Sequence, residues 1–120
     1  MNNKFHQENA PTQPVGETEL NIGSIKLTDV DFLKNIDVNK LKLSLNEVRV
    51  APNGVVPLHS HNERPAIMFV AQGEITEFNS NVEKPKKHKA PSATIEFNDV
   101  EHWWKNEGDE EVIIYSAMIV

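Results

Sequence analysis

The chain contains no cysteine, which excludes disulfides, thiolate metal ligands and a cysteine nucleophile. It has no apolar run of the length that crosses a bilayer, so no membrane-spanning helix and no membrane partner are expected. Basic residues are scarce as well: 12 Lys and Arg stand against 18 Asp and Glu, a formal net charge of −6. Nucleic-acid phosphates require a basic footprint, so nucleic acid is not expected as a partner. The opening residues, MNNKFHQENA, have no apolar core and do not read as a signal peptide. A cytoplasmic location is therefore expected if Met1 is the natural start, and a periplasmic one if a signal peptide has been removed. What is present, 38% hydrophobic and 25% charged residues over 120 positions, suits one globular domain.

Residues 1–16 are polar and rich in Asn, Gln and Pro, and read as a disordered or loosely attached arm. Residues 17–120 form the domain, without internal repeats. Val30 to Ile36 suits either a helical turn or a short strand. From Lys40 onward the pattern is that of strands. Leu41, Leu43 and Leu45 alternate with Lys42 and Ser44, as in a half-buried strand. The alternation slips at Asn46 and Glu47 and resumes at Val48 and Val50, which predicts a bulge. Ala51-Pro52-Asn53-Gly54 reads as a turn. Val55–His61 and Ala66–Ala71 read as strands, and Gln72-Gly73 turns the latter into Glu74–Phe78 as a hairpin. Residues 79–89 read as a polar, solvated loop, and Glu74 and Glu77 as surface carboxylates. Ala93, Ile95 and Phe97 mark another strand, and Val112 to Val120 a final buried one. Seven to nine short strands without a long helix predict a sandwich or barrel.

The chemistry-bearing feature is His59-Ser60-His61. Residues two apart on a strand project to one face, so both imidazoles can reach one metal ion at about 2.0–2.2 Å. A third ligand must come from a distant strand. His88 sits among Lys84, Lys86, Lys87 and Lys89, which repel a cation, and His6 lies in the arm. His102 is the remaining chemically sensible partner.

Gly54 to His61, then Gly73, then His102-Trp103-Trp104-Lys105-Asn106 resemble the two sequence motifs of the cupin superfamily. The resemblance covers about residues 40–120 and implies a small all-β, single-domain jelly-roll β-barrel. It carries the family's metal ligands over to His59, His61 and His102, with one divalent transition metal ion as cofactor: Fe, Mn, Ni, Co, Cu or Zn. Three departures stand out. Ala66 occupies the position of the family's metal-binding glutamate, Asp99 replaces a glycine, and Phe97 replaces a proline. The chain is more closely similar to a small cupin subgroup with His-Ser-His, Arg-Pro-Ala-Ile, Gly-Glu-Ile-Thr-Glu and His-Trp-Trp-x-Asn.

The missing glutamate leaves three neutral imidazoles and open coordination positions. By alternation Glu63 shares the histidine face, which makes it a candidate fourth ligand and general base. Arg64 is a candidate anchor for an anionic substrate, the alternative being a surface ion pair. Trp104 and Tyr115 are candidate substrate-binding residues, with core packing as their plainer reading. The resemblance implies a metal-dependent cupin acting on a small organic molecule, with dioxygenase chemistry as the leading expectation. A non-catalytic binding or sensing module and a sugar or keto isomerase are the alternatives. A homodimer is expected from the same resemblance, joined through the N-terminal strand or an open sheet edge.

Overall fold

The computed structural model describes residues 4–120. Its regular structure is β1 (Val15–Lys26), β2 (Lys42–Ser60), β3 (Ala66–Gln72), β4 (Glu74–Asn79), β5 (Lys86–Lys89), β6 (Ser92–Glu96), β7 (Glu101–Lys105) and β8 (Val112–Ile119). Two single-turn 3-10 segments, Leu27–Asp29 and Asp31–Leu33, connect β1 to β2. Pairing is antiparallel in the order β5-β4-β7-β2-β8-β3-β6, with β1 added alongside β2. The result is a nearly closed, barrel-shaped sheet of the jelly-roll kind, as expected.

Closure depends on β2. Residues 43–50 pair with β8, whereas residues 55–60 pair with β7, so one 19-residue strand serves both layers. The corner lies at Ala51–Gly54, where Asn53 takes φ 65°. A Cβ on Gly54 would lie 2.7–2.8 Å from Ala51 O, Val15 O and Val50 Cγ1. The segment read as a turn is thus a bend inside a continuous strand. A strand that changes layer needs such a bend, and only a residue without a side chain fits it.

The burial phase of β2 differs from the expectation. Ser44, Val48 and Val50 are buried, while Leu43 and Leu45 stay 44% and 40% exposed. Pairing with β8 runs unbroken from Leu43↔Ile119 to Val50↔Val112, so β2 has no bulge there. The irregularity lies in the partner strand, between Asn21 and Gly23 of β1. Beta6 is inverted in the same way: Ile95 is 72% exposed and Glu96 is buried. Inward positions hold Val48, Val50, Met68, Val70, Ile75, Trp104, Val112 and Ile114 as one core. Each such side chain contributes about 1.5–3 kcal/mol when fully buried.

From Lys4 on, the lead-in is packed rather than loose. Phe5 N donates to Ser80 O and Leu58 N to Pro11 O. Trp103 Nε1 donates to His6 O at 2.8 Å, and Trp103 stacks on Phe78 with ring centroids 3.9 Å apart. The lead-in therefore covers the outer side of β4 and β7, and the expected boundary between residues 16 and 17 falls inside β1. Residues 1–3 of the expected arm lie outside the described residues.

Candidate metal centre

His59 near the end of β2 and His102 on β7 are direct cross-strand partners. His61 follows the end of β2, where its N–H donates to Val100 O at 2.9 Å. The three rings meet with centroids 4.5–5.0 Å apart. His102 Nε2 lies 3.0 Å from the Nε2 atoms of both His59 and His61.

Hydrogen bonds on the far side of each ring decide the tautomers. His59 Nδ1 faces Pro57 O at 2.8 Å, His61 Nδ1 faces Arg64 O at 2.9 Å, and His102 Nδ1 faces Glu77 Oε2 at 2.7 Å. Each of these partners only accepts, so each Nδ1 carries the proton and donates it. All three Nε2 atoms are then bare lone pairs pointing at one another. They cannot hydrogen-bond among themselves, and separations of 3.0 Å suit neighbouring ligands each about 2.1 Å from a shared ion. Such outward N–H bonds are the usual means of orienting metal-ligating histidines. Burial and the neighbouring His102 push His59 down to about 3. Burial likewise outweighs the Arg64 O hydrogen bond and brings His61 to about 4. Both imidazoles are therefore neutral at physiological pH, the form a metal ion requires of its histidine ligands. The donor set fits a divalent transition metal ion.

Three further buried side chains surround the histidines. Glu77 of β4 accepts from His102 through Oε2 and from His88 Nε2 through Oε1, at 2.7 and 2.9 Å. Burial opposes its charge, but the two histidine hydrogen bonds prevail and hold Glu77 down to about 2. Glu96 of β6 is 2% exposed, with Oε2 2.6 Å from His102 Nε2 and 3.3 Å from His61 Nε2. Burial, reinforced by the Glu77 charge, pushes Glu96 up to about 8. The expectation that Glu77 is a surface carboxylate does not hold, and the expected loop narrows to residues 80–85, because Asn79 ends β4 and Lys86–Lys89 form β5. Residues 86–89 pair with β4, and that register turns His88 inward against Glu77 and Trp104.

A cavity of about 190 Å³ opens beside the histidines, lined by His59, His61, Arg64, Met68, Trp104 and Ile114 among others. Glu17 and Glu19 of β1 also reach it. Trp104 is 1% exposed and its Nε1 has no hydrogen-bond partner among the described residues. The structure thus brings Arg64 and Trp104 to the site. It does not bring Glu63 or Tyr115. Glu63 lies exposed in the turn that follows β2, because the strand ends at Ser60 and alternation no longer governs its direction. It lines a separate surface depression with Ser60, Asn62, Arg64 and Val120. Tyr115 occupies the outward phase of β8, where its hydroxyl donates to Glu47 at 3.2 Å. Asn106 is structural: its amide donates to Val50 O and Glu110 O and its Oδ1 accepts from Gly108 N. Sequence reasoning missed Glu77, His88 and Glu96. The one signal for Glu96 was a carboxylate in the polar phase of a strand, two residues from Thr94.

The cupin family profile matches residues 12–96, and the chain belongs to that family. Comparison with curated protein sequences gave no match. Among solved structures, a predicted oxalate decarboxylase from Thermotoga maritima superposes with a TM-score of 0.66 at 14% identity, over 97% of each chain. Oxalate oxidase in complex with glycolate gives 0.64 at 19% identity, over 91% of this chain and 56% of that one. The cupin domain of Schizosaccharomyces pombe Cnp3 gives 0.57 at 17%, over 67% of this chain and 64% of that one. The chain thus spans less than two thirds of the latter two. At these identities the likeness establishes the fold. Among the described residues no helix is long and apolar enough to cross a membrane.

Proposed function

We propose that this cupin binds one divalent transition metal ion through His59, His61 and His102 and acts on a small organic molecule held in the adjoining cavity. The observation that carries this reading is the convergence of three Nε2 lone pairs, each forced inward by a hydrogen bond from its own Nδ1. A metal ion bound there would supply Lewis acidity and, if redox-active, a site for dioxygen. The protein's part is to hold the imidazoles, to line the cavity with apolar side chains that exclude water, and to orient the substrate. Arg64 is the charged group placed to do the orienting, and Trp104 supplies a lining surface.

Size and charge narrow the substrate. A cavity of roughly 150 Å³ admits benzene, so about 190 Å³ suits a single ring or a short chain. The solved relatives named for oxalate chemistry suggest a dicarboxylate, but here Glu17 and Glu19 share the cavity with one arginine. The Glu19 carboxylate, joined by Glu17 as that group ionises near pH 7, repels a dianion, which favours a neutral or singly charged substrate. Metal-dependent dioxygenation of a small diol or thiol is the chemistry these features support best. The exposed apolar residues of the outer sheet face and of β1 support self-association as a homodimer.

Metal analysis of protein from unsupplemented cells, beside His59→Ala and His102→Ala, tests the first half. Near-stoichiometric metal in the parent and loss in both variants is expected; retention in both would overturn the site. Oxygen uptake by Fe(II)-loaded protein with single-ring diols and small thiols tests the second half. Consumption that is lost with His102→Ala is expected. A retained ligand without turnover would instead favour a binding module, and activity that survives metal stripping an isomerase.

A further inference from the structure

Ala66 and Glu96 are direct cross-strand partners on β3 and β6. Their neighbours Ile67 and Ile95, also partners, are 54% and 72% exposed, so Ala66 and Glu96 both point inward. The position that carries the glutamate in the resembling motif is therefore filled by a methyl group, and the strand beside it supplies a carboxylate to the same interior. We propose that Glu96 is the fourth protein ligand of the metal centre, the ligating carboxylate having moved from β3 to β6.

Geometry, bonding and charge support this. Glu96 Oε2 lies 2.6 Å from His102 Nε2 and 3.3 Å from His61 Nε2, close enough to share an ion with both. Neither oxygen of Glu96 has a hydrogen-bond partner among the described residues, although the residue is only 2% exposed. A buried carboxylate without donors is costly, and the nearest groups, the Nε2 atoms, are themselves acceptors. A cation bound between Glu96 Oε2 and the Nε2 atoms of His61 and His102 satisfies these three together. A dication with two carboxylates, Glu77 on the far side of His102 and Glu96 in contact, leaves the buried site without net charge. Without Glu96, the dication and the ionised Glu77 would leave one uncompensated positive charge in the buried site. Two of the three histidine ligands already belong to β2 and its end, so Glu96 adds a third element, β6, to a site otherwise built on β2 and β7.

The inference rests on the metal reading above, and its test separates the two. Metal-free protein is titrated with Co(II) and with Zn(II), reading the dissociation constant by chelator competition and the intensity of the Co(II) visible bands. The proteins compared are the parent, His59→Ala, Glu96→Gln and the double variant Ala66→Glu/Glu96→Ala. Glu96→Gln preserves shape and is expected to weaken binding by about 100-fold or more, at or beyond the loss seen on removing an orienting partner. Its Co(II) bands should change, while its circular dichroism stays that of the parent. The double variant returns the carboxylate to β3 and is expected to recover most of the lost affinity, which a purely structural role for Glu96 would not produce. If Glu96→Gln binds as the parent does, with unchanged Co(II) bands, while His59→Ala does not bind, the relocation is wrong and the three-histidine site stands. If the parent binds no better than His59→Ala, both readings fall.

Discussion

Glu17 offers a residue-scale test of the cavity. Burial, with the Glu19 charge added, pushes its carboxyl up to about 7 from an ordinary 4.5. The titratable and charged groups around it in the cavity are Glu19, His59, His61 and Arg64. Between those two pH values the folded chain holds a proton that the unfolded chain releases, so stability declines as pH rises through that window. Glu17→Gln should therefore melt higher than the parent at pH ~8 and level with it at pH ~4, readable by thermal unfolding. A constant difference across pH would count against a partly buried Glu17. Glu77 acts one bond further out, by holding the His102 tautomer. Glu77→Gln is expected to lower metal affinity about 10–100-fold in the same chelator competition, with the fold intact by circular dichroism. At this scale the sequence announced the histidines, because a period of two and a distant His-x-x-x-Asn are visible in one dimension. Glu96 was hidden because its role depends on lying opposite Ala66. Cross-strand register is a property of the folded sheet, and a carboxylate on a strand reads by default as solvated.

Among the elements, β2 concentrates the strain of closing the barrel into one corner. Gly54→Ala would place a methyl group 2.7–2.8 Å from two carbonyl oxygens and a valine methyl. Overpacking of this kind costs about 1–3 kcal/mol, so the urea midpoint should fall with little change in slope. Gly23→Ala is the matched control, since a Cβ there meets nothing within 4 Å. It should shift stability by no more than about 0.5 kcal/mol. Equal effects at both positions would remove the corner argument. Strand positions were largely legible from alternation, yet the facing of β2 and β6 was not. Alternation shows that two faces differ; which one turns inward is settled by the interior it must build. Here Ser44, Glu96 and Ser116 occupy buried positions, and Leu43, Ile67 and Ile95 lie outside. Polar side chains at some inward positions, beside an otherwise apolar core, invert the usual assignment locally.

For the molecule as a whole, that inversion leaves apolar surface to be covered. Leu43, Leu45, Ile67, Phe69 and Ile95 are each at least 40% exposed, and the strands carrying them, β2, β3 and β6, lie in one sheet with β8. At the other end of the same strands, Arg49 pairs with Glu47 and Glu111 at 2.8 and 2.9 Å, a polar boundary to the patch. Among the described residues β1 pairs only with β2, and Leu20, Ile22 and Ile25 on it are also exposed. The radius of gyration is 15.3 Å, whereas a compact chain of this length is expected near ~13.6 Å. An extended edge with an apolar face and a charged border has the makeup of an interface. The proposed homodimer would place a second copy there, since a two-fold contact sets the neutral patch on itself and keeps the acidic remainder of each chain apart. Light scattering after gel filtration should give twice the 13.6 kDa chain mass. Ile95→Glu sets like charges across the two-fold axis and should yield the single-chain mass. Because Ile95 points away from the cavity, the same variant should bind Co(II) as the parent does. Loss of both properties together would mean that the substitution disturbs β6 itself, and a parent of single-chain mass would refute the dimer.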